Sequence, residues 1–317
     1  MNAPRNGLSL PPATSSQAMR SPVEIGAARL ALGTAQFGLP YGIANTQGLV
    51  NPGQAEAMLG AARDAGIDTL DTAIAYGEAE ELLGRIGVAD FRIISKIPAL
   101  REPVGVVDDW VIAQVEASLE RLHVPRLGGL MLHAPDDLLG PHGPDIARGL
   151  RRVRDAGLAE RIGLSVYSPD QLAALIDRLP LEIVQIPANV FDRRFAETGW
   201  LDRLAMNGVE VHARSAFLQG LLLMPSERVP STFAPYRTLI ASWHAWLAGE
   251  AAGTSPAQAC LAHLAAYGGI SRVVVGAENL TQFQEIIAAT AAMPLRAPAS
   301  LACSLTSLID PSQWSSL

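Results

Sequence analysis

Eight short, apolar, β-rich segments recur along the chain from about residue 28, and each is followed by a segment with helical periodicity. The eight are ARLALGTAQF (28–37), GIDTLDTA (66–73), FRIISKIP (91–98), RLGGLMLHAP (126–135), RIGLSVY (161–167), LEIVQIPAN (181–189), VEVHARSAF (209–217) and SRVVVGA (271–277). Between them, segments such as 52–66, 108–122 and 255–268 carry apolar residues three and four positions apart. Nearly continuous apolar strands separated by helices are typical of a parallel sheet covered on both faces. Eight such units predict a (β/α)8 TIM barrel.

The alternative α/β architecture is a doubly wound open sheet. That fold would need a glycine-rich phosphate turn after the first strand, and the chain contains no G-x-G-x-x-G sequence. No change in composition marks a second domain, and 317 residues suit one barrel. We therefore predict a single domain with a long loop after the seventh strand, about 218–254, which holds an extra helix or a lid, and a C-terminal tail, 292–317.

Charge and cysteine content argue against several classes of protein. The net charge of −7 disfavours nucleic acid and anionic membranes as partners. Two cysteines, Cys260 and Cys303, are too few for a disulfide framework and lack zinc-site spacing. No apolar run is long enough to cross a membrane. We interpret residues 1–24 as a flexible extension without a signal peptide and residues 25–317 as the barrel, and we expect a cytoplasmic protein of undetermined oligomeric state.

Polar residues end three neighbouring predicted strands. Asp71 ends the second strand, with Tyr76 five residues later, Lys96 ends the third and His133 ends the fourth. Lys96 is the only lysine among the 24 basic residues, the other 23 being arginine. Taken singly, each has an ordinary role, such as a helix cap for Asp71 or a core imidazole for His133. Because functional groups of barrels project from the C-terminal ends of strands, we expect the four side chains to converge at one rim.

These four groups suit proton transfer to or from an oxygen atom. A tyrosine, with its usual pKa near 10, becomes a useful acid or base when a neighbouring ammonium stabilises the phenolate. A carboxylate beyond the ammonium fixes its position, and an imidazole alongside can orient a carbonyl oxygen. No activated Ser or Cys nucleophile accompanies them, so acyl transfer does not fit.

Over about residues 28–290 the chain resembles the aldo-keto reductases. The resemblance is carried, in order, by LALGTAQFG, DTAIAYG, SK, LMLH, IGLSVY, VQIPAN and VVVGAENLTQF. It implies a barrel that binds NADP(H) in extended form without a Rossmann domain, and hydride transfer between the nicotinamide and a small carbonyl compound or sugar. It further implies that Tyr76 is the proton donor, that Lys96 lowers the tyrosine pKa, that Asp71 holds Lys96 and that His133 orients the carbonyl.

The resemblance also implies which residues bind the cofactor, Asp71 among them. Gly33, Thr34 and Ala35 would lie near its ribose and phosphates, and Ser165 and Gln185 would bind the carboxamide. The pyrophosphate would follow Arg214, Ser215, Ala216, Phe217, Leu218 and Gly220, and the adenosine end would lie among Gly276, Glu278, Gln282 and Glu285. A helix that starts just after Gly276 offers free backbone N–H groups to an anion.

The sequence departs from the family pattern at three places. Val166 stands where the family usually has Asn, and Arg214 stands where an aromatic ring commonly stacks on the nicotinamide. Gly276 and Gln282 replace the usual basic pair for the 2′-phosphate, although Arg272 or an arginine of the seventh loop can compensate. NADP(H) therefore remains the expected cofactor, with NAD(H) as the alternative.

Two other functions stay open at this point: a Schiff-base aldolase acting through Lys96, and a non-catalytic subunit that senses the nicotinamide redox state. A metal site is not expected, because HAPDDLLGPH (133–142) matches no ligand spacing. Substrate identity is set by loops above the rim, and the candidates to line the substrate pocket are Leu39, Tyr41, Phe191, Trp243 and Trp314.

Overall fold

Eight parallel strands close into a barrel in the order in which they occur along the chain. The computed structural model describes residues 26–101 and 104–316, so the predicted extension of residues 1–24 lies outside the described residues. The strands are β1 Leu30–Gly33, β2 Thr69–Asp71, β3 Arg92–Ile97, β4 Gly129–Leu132, β5 Ile162–Ser165, β6 Ile183–Pro187, β7 Glu210–Arg214 and β8 Arg272–Val275. The last strand pairs with the first through Leu30 and Val273, which closes the barrel and confirms the predicted fold.

Helices follow every strand and cover the outside of the barrel. They are α1 Ala35–Gly38, α2 Pro52–Asp64, α3 Ala79–Ile86, α4 Val107–Leu122, α5 Gly143–Asp155, α6 Pro169–Leu175, α7 Arg194–Glu197, α8 Trp200–Met206, α9 Arg237–Ala248, α10 Pro256–Ala265, α11 Leu280–Ala289 and α12 Thr306–Ile309. Short 3₁₀ turns lie at Ala27–Arg29, Pro135–Leu139, Leu218–Leu223, Ser226–Arg228, Ser231–Tyr236, Ala299–Leu301 and Pro311–Ser316. Several helices begin where the sequence indicates: Asn51, Ser168 and Ser255 each cap a helix whose next residue is proline.

The strands are shorter than the apolar segments that predict them. Segment 28–37 forms a strand only as far as Gly33, because Thr34 leaves the extended conformation and its hydroxyl donates to Asp71 O at 3.1 Å. Segment 209–217 likewise ends its strand at Arg214, since Ser215 adopts a φ of 60°. Beyond these strand ends, residues 35–37 form part of helix α1 and residues 215–217 lie in a turn, so neither stretch extends the sheet.

Two apolar clusters form the core. The larger one lies between the sheet and the helices, and the smaller one, of Ile94, Met131 and Ile183, fills the middle of the barrel. Successive residues of a strand point to opposite faces, so β3 directs Arg92, Ile94 and Lys96 to the barrel interior. The interior is therefore apolar at mid-height and polar at both ends.

The long segment after β7 and the C-terminal tail pack on the barrel. Helix α9 lies within the predicted 218–254 loop and is buried through Trp243 and Trp246, whose rings stack 5.5 Å apart. In the tail, Trp314 packs edge-on against Phe233. Within the described ranges, no helix is long and apolar enough to cross a membrane.

Candidate active site

Four side chains meet at the C-terminal rim of the barrel. The Lys96 Nζ atom lies 2.7 Å from Asp71 Oδ1, 2.9 Å from the Thr72 carbonyl oxygen and 3.5 Å from the Tyr76 hydroxyl. The Tyr76 and His133 rings are edge to face, with centroids 5.7 Å apart. The structure thus brings together the four residues that the strand ends single out.

The ammonium of Lys96 is enclosed, with a side chain 1% exposed. Burial alone would lower its pKa, but the Asp71 carboxylate and the Tyr76 hydroxyl raise the pKa of Lys96 above its usual value. Gln185 Nε2 donates to the second oxygen of Asp71 at 2.6 Å and fixes the carboxylate from the other side. A positioned ammonium, whose charged form these contacts favour, therefore faces the phenol.

Burial has the opposite effect on the two rings. It raises the pKa of Tyr76 above its usual value, although the charge of Lys96 acts to lower it. The expected net lowering by Lys96 is therefore not seen in this state, because desolvation of the phenolate outweighs it. Burial and the charge of Lys96 lower the pKa of His133 to about 4, so its imidazole is neutral near pH 7.

A cleft of about 140 Å³ runs from these residues to the N-terminus of α11. Of the residues predicted to bind the cofactor, twelve besides Asp71 line it: Gly33, Thr34, Ala35, Gln185, Arg214, Ser215, Ala216, Phe217, Gly220, Gly276, Glu278 and Gln282. Ser165 lies beneath, and its hydroxyl donates to Gln185 Oε1 at 3.4 Å. Leu218 is fully buried in the core and Glu285 is exposed on α11, so neither lines the cleft.

Backbone strain is concentrated in the segment after β7. Ser215, Leu218 and Gln219 all have positive φ, between 48° and 60°, a region that side chains larger than glycine rarely adopt. The Asn189 amide donates to the Ser215 carbonyl oxygen at 3.2 Å and stabilises the turn. Such strain clusters at binding and catalytic sites, and here it shapes one wall of the cleft.

Residues 41–46, which we term the strap, cross above the cleft. Ala44 N donates to Gln219 O at 3.4 Å, the Gln219 amide to the Tyr41 hydroxyl at 3.3 Å, and Thr46 N to Glu278 Oε2 at 3.4 Å. These contacts are few and long, so the strap is weakly attached to the opposite wall.

A second cavity of about 810 Å³ adjoins His133 from the side of the β3–α4 loop. It is lined by Ala75, Pro98, Ala99, Leu100, Arg101, Val104, Trp110, Gln114, His133 and Ala134. Sequence reasoning missed these residues, since Trp110 and Gln114 belong to α4 and read as ordinary positions of an amphipathic helix. Pro98 is the first residue after β3, two positions beyond Lys96, and it could have indicated that the β3–α4 loop starts beside the candidate site.

The residues predicted to line a substrate pocket are differently placed. Tyr41 lines the cleft beside Tyr76, whereas Leu39 is half-buried outside both cavities. Phe191 and Trp243 are 1% exposed and belong to the core, where Trp243 Nε1 donates to Leu222 O. Trp314 Nε1 donates to Leu308 O within the tail. A sequence cannot reveal that these rings face inward.

Arg272 does not replace the missing basic pair at the adenosine end. It begins β8 at the opposite end of the barrel, where its guanidinium pairs with Asp68 at 3.3 Å. Among the described residues that line the cleft, the one basic side chain is Arg214. The described residues also contain no group of three or more His, Cys, Asp or Glu arranged to bind a metal ion.

The family model of the aldo/keto reductase family matches residues 29–298. The chain belongs to that family. It is 29% identical over 240 residues to a 6-dehydroglucose reductase of Novosphingobium aromaticivorans, a match that covers 65% of this chain and 75% of that protein. It is also 28% identical over 282 residues to a probable voltage-gated potassium channel subunit beta of Arabidopsis thaliana, covering 77% and 84%.

Solved structures of aldo-keto reductases share the fold. The holo form of one from Bacillus halodurans aligns with a TM-score of 0.68 at 19% sequence identity, over 84% of this chain and 88% of that one. As an aldo-keto reductase, the protein is an NAD(P)H-dependent oxidoreductase that acts on small carbonyl compounds.

Proposed function

We propose that the protein reduces an aldehyde or ketone, or oxidises the corresponding alcohol or sugar, with Tyr76 as the general acid and base. The observation that carries this proposal is the enclosed Lys96 ammonium, which contacts the Asp71 carboxylate and the Tyr76 hydroxyl together. A positive charge 3.5 Å from the hydroxyl stabilises the phenolate left when the proton is transferred. A Lys–Asp pair without the tyrosine would serve only the structure.

The lining and the course of the cleft suit an extended nicotinamide dinucleotide. Glycines line it at several points, among them Gly33 and Gly276, and a Cβ on Gly276 would lie 2.7 Å from the Gln36 amide, so a larger residue there would displace the Gln36 side chain. One end reaches Tyr76 and the other the start of α11. The free N–H groups expected there are not seen, because Glu278 N, Leu280 N and Gln282 N already donate to side-chain oxygens of Gln282, Gln54 and Asn279. Dinucleotides need more room than 140 Å³, and we infer that the weakly attached strap moves outward when one binds.

Each residue then has a defined task. The cofactor, when bound, supplies or accepts the hydride. Tyr76 gives its proton to the carbonyl oxygen, which becomes the alcohol. His133, neutral at pH 7, donates an N–H hydrogen bond that orients that oxygen and does not compete as the acid. Asp71 and Gln185 act as positioning residues for Lys96.

For the cofactor we propose NAD(H) ahead of the NADP(H) that the family resemblance implies. Glu278 and Gln282 line the adenosine end, and the only basic residue among the described cleft-lining residues, Arg214, lies beside Tyr76 at the other end. A carboxylate repels a 2′-phosphate but accepts a hydrogen bond from a ribose hydroxyl.

Titration of NADH and NADPH, followed by quenching of tryptophan fluorescence, tests the cofactor proposal. We expect NADH to bind about 10-fold more tightly, and Glu278→Arg to reverse the order because a guanidinium pairs with the 2′-phosphate. Tighter NADPH binding by the unmodified protein contradicts NAD(H) preference, and no binding of either below millimolar contradicts the reductase proposal itself.

The Tyr76→Phe variant tests the mechanism. It removes only the proton donor, so we expect turnover of an aldehyde to fall by about 10³-fold while the Kd of the cofactor changes by less than about 3-fold. Unchanged turnover removes Tyr76 from the reaction. Borohydride trapping of a carbonyl compound on Lys96 would instead support the aldolase, and tight cofactor binding without turnover of any carbonyl would support the sensing subunit.

A further inference from the structure

Arg214 ends β7 and directs its guanidinium into the cleft that contains Tyr76. The Cζ atom lies 4.3 Å from the centroid of the Tyr167 ring. Nη2 donates to the Val166 carbonyl oxygen and Nη1 to the Ser215 hydroxyl, both at 3.3 Å. The group is therefore positioned by a ring and two neutral acceptors, and several of its five N–H donors are free for another partner.

The described residues supply Arg214 with no carboxylate. The two acidic residues that line the cleft are Asp71 and Glu278. Asp71 is taken by Lys96 and Gln185, and Glu278 lies at the other end, where it accepts from Thr46 N. Three other half-buried arginines, Arg92, Arg121 and Arg194, have carboxylate partners, whereas Arg29 and Arg193 donate only to backbone carbonyl oxygens. Arg214 differs from the last two because it lines the cleft, where an anionic ligand can reach its remaining N–H groups.

The groups around Tyr76 leave this charge uncompensated. The charges of Lys96 and Asp71 cancel within their 2.7 Å pair, and His133 is neutral near pH 7. The positive charge of Arg214 also acts on its surroundings, since it contributes to lowering the pKa of His133. The reacting end of the cleft therefore has a net positive potential, opposite in sign to the Glu278 end.

We propose that Arg214 binds an anionic group of the substrate, a carboxylate or a phosphate, so that the enzyme selects aldehydes or ketones that carry a negative charge near the carbonyl. This inference rests on the proposed function and names its substrate class. In the reduction, the carbonyl carbon gains the hydride and the carbonyl oxygen gains the Tyr76 proton. The anionic group of the substrate is unchanged and serves only for binding. A planar fork that meets two oxygens of the anion adds orientation to affinity.

A matched series of aldehydes provides the test: benzaldehyde, 4-carboxybenzaldehyde and 4-formylphenyl phosphate. For the unmodified enzyme we expect kcat/KM of at least one charged aldehyde to exceed that of benzaldehyde about 10-fold or more, and the preferred anion shows whether carboxylate or phosphate is read. Arg214→Met, assayed at saturating cofactor because Arg214 also lines the cofactor cleft, should lower kcat/KM for that aldehyde about 10-fold more than it lowers the benzaldehyde value, mainly through KM. Arg214→Lys should keep part of the preference, because it keeps the charge without the fork.

Arg101→Met is the matched control, because Arg101 is the cation of the second cavity beside His133. Loss of the preference in Arg101→Met but not in Arg214→Met overturns the proposal, as does an equal loss for all three aldehydes in Arg214→Met. Calorimetric binding of 4-(hydroxymethyl)benzoate to the cofactor-loaded enzyme gives a readout without turnover, and it should weaken in Arg214→Met alone. If Arg214→Met changes only the ratio of the Kd values of oxidised and reduced cofactor, the guanidinium acts on the nicotinamide and the substrate role is wrong.

The two levels of the proposal fail in different ways. An enzyme that reduces benzaldehyde as well as the charged aldehydes keeps the proposed function and loses the anionic substrate class. An enzyme that binds no nicotinamide cofactor and reduces none of the three loses the proposed function.

Discussion

The two ends of the barrel interior are built from the same two strands and from similar chemical groups. Strand β3 begins with Arg92 and carries Lys96 near its end, and β7 begins with Glu210 and ends with Arg214. At the N-terminal end of the barrel, which we call the floor, Arg92 donates to both oxygens of Glu210 at 2.6 and 2.8 Å. His212 Nε2 donates to the same carboxylate at 2.7 Å. At the rim, Lys96 keeps a loose 3.5 Å contact with Tyr76, and Arg214 has neutral partners only.

The difference lies in whether the charged groups have charged partners. At the floor, both oxygens of the Glu210 carboxylate accept hydrogen bonds from Arg92 or His212, although His212 Nδ1 itself is buried without a partner, and a carboxylate paired in this way stabilises the fold without inviting a ligand. At the rim, the Arg214 guanidinium has no carboxylate partner among residues 26–101 and 104–316, and Tyr76 has only the long contact with Lys96. This contrast between the ends matches the general division of barrels into a stabilising floor and a reactive rim.

Among these variants, Lys96→Arg should cause the largest loss of activity at the rim. A guanidinium is too large for the 1% exposed site and cannot address Asp71, the Thr72 carbonyl and Tyr76 with one compact group. We expect kcat for aldehyde reduction to fall about 300-fold, within the range of lost acid–base assistance. Steady-state kinetics with circular dichroism checks it, and activity within a few-fold of the unmodified enzyme would show that any cation suffices.

Glu210→Gln removes the carboxylate at the centre of the floor. It leaves Arg92 and His212 without their carboxylate in a nearly enclosed site, and loss of one member of a buried pair costs about 3 kcal/mol. We expect the free energy of unfolding in urea to fall by that amount while kcat/KM stays within about 2-fold, because the site is at the other end. A large loss of activity in a folded variant would mean that the two ends are coupled.

The two ends should also lose stability in different pH ranges. The pKa of His133 is about 4 when folded and 6.5 by default, so the unfolded chain takes up the proton first and stability falls as pH drops from 6.5 to 4. For Glu210, burial opposes ionisation, but His212 and Arg92 hold its pKa well below the usual 4.5, so its contribution is lost only as pH falls below 4.5. Urea unfolding across pH should show a loss of about 2 kcal/mol in the upper range, after allowance for partial exposure of the ring. Buried His263, whose pKa is lowered to about 3, adds a further loss over the same range, so His133→Gln should remove only the His133 share of the upper slope, and Glu210→Gln should flatten the lower range. An upper slope unchanged in His133→Gln would assign it entirely to other groups.

Arg92→Lys is the mildest change and the mirror image of the first. A lysine keeps the charge opposite Glu210 but gives up the two-pronged contact, so we expect a loss of about 1 kcal/mol in unfolding free energy. Thermal denaturation measures it, with activity as the control. A stability loss as large as that of Glu210→Gln would show that fork geometry, more than charge, stabilises the floor.

The barrel was predictable because its signals are local and repeated. Eight apolar segments alternate with capped, amphipathic helices, and both patterns follow from short stretches of chain. The strand ends were not predictable, since Thr34 and Ser215 leave the sheet in response to contacts with β2 and Asn189. Apolar character alone does not separate a strand from the buried loop that continues it.

The part of the candidate site that lies at strand ends was predictable. Asp71, Lys96 and His133 are placed by register, and their convergence follows from closure of the barrel. The direction of the Tyr76 pKa was not predictable, because it depends on how burial weighs against one charge. The floor network of Glu210 and His212 was overlooked, although charged residues spaced by two at the start of a strand were a readable signal.

Because Lys96 is the only lysine and is enclosed, its chemical labelling can report when the rim of the barrel opens. Acylating reagents need a neutral amine in water, and the only side-chain amine of the sequence is 1% exposed with a raised pKa. Labelling of Lys96 therefore proceeds only through molecules whose rim has come apart. Mass spectrometry of the peptide that contains Lys96 gives the labelling rate, since the arginines do not react. That rate measures how often the rim opens.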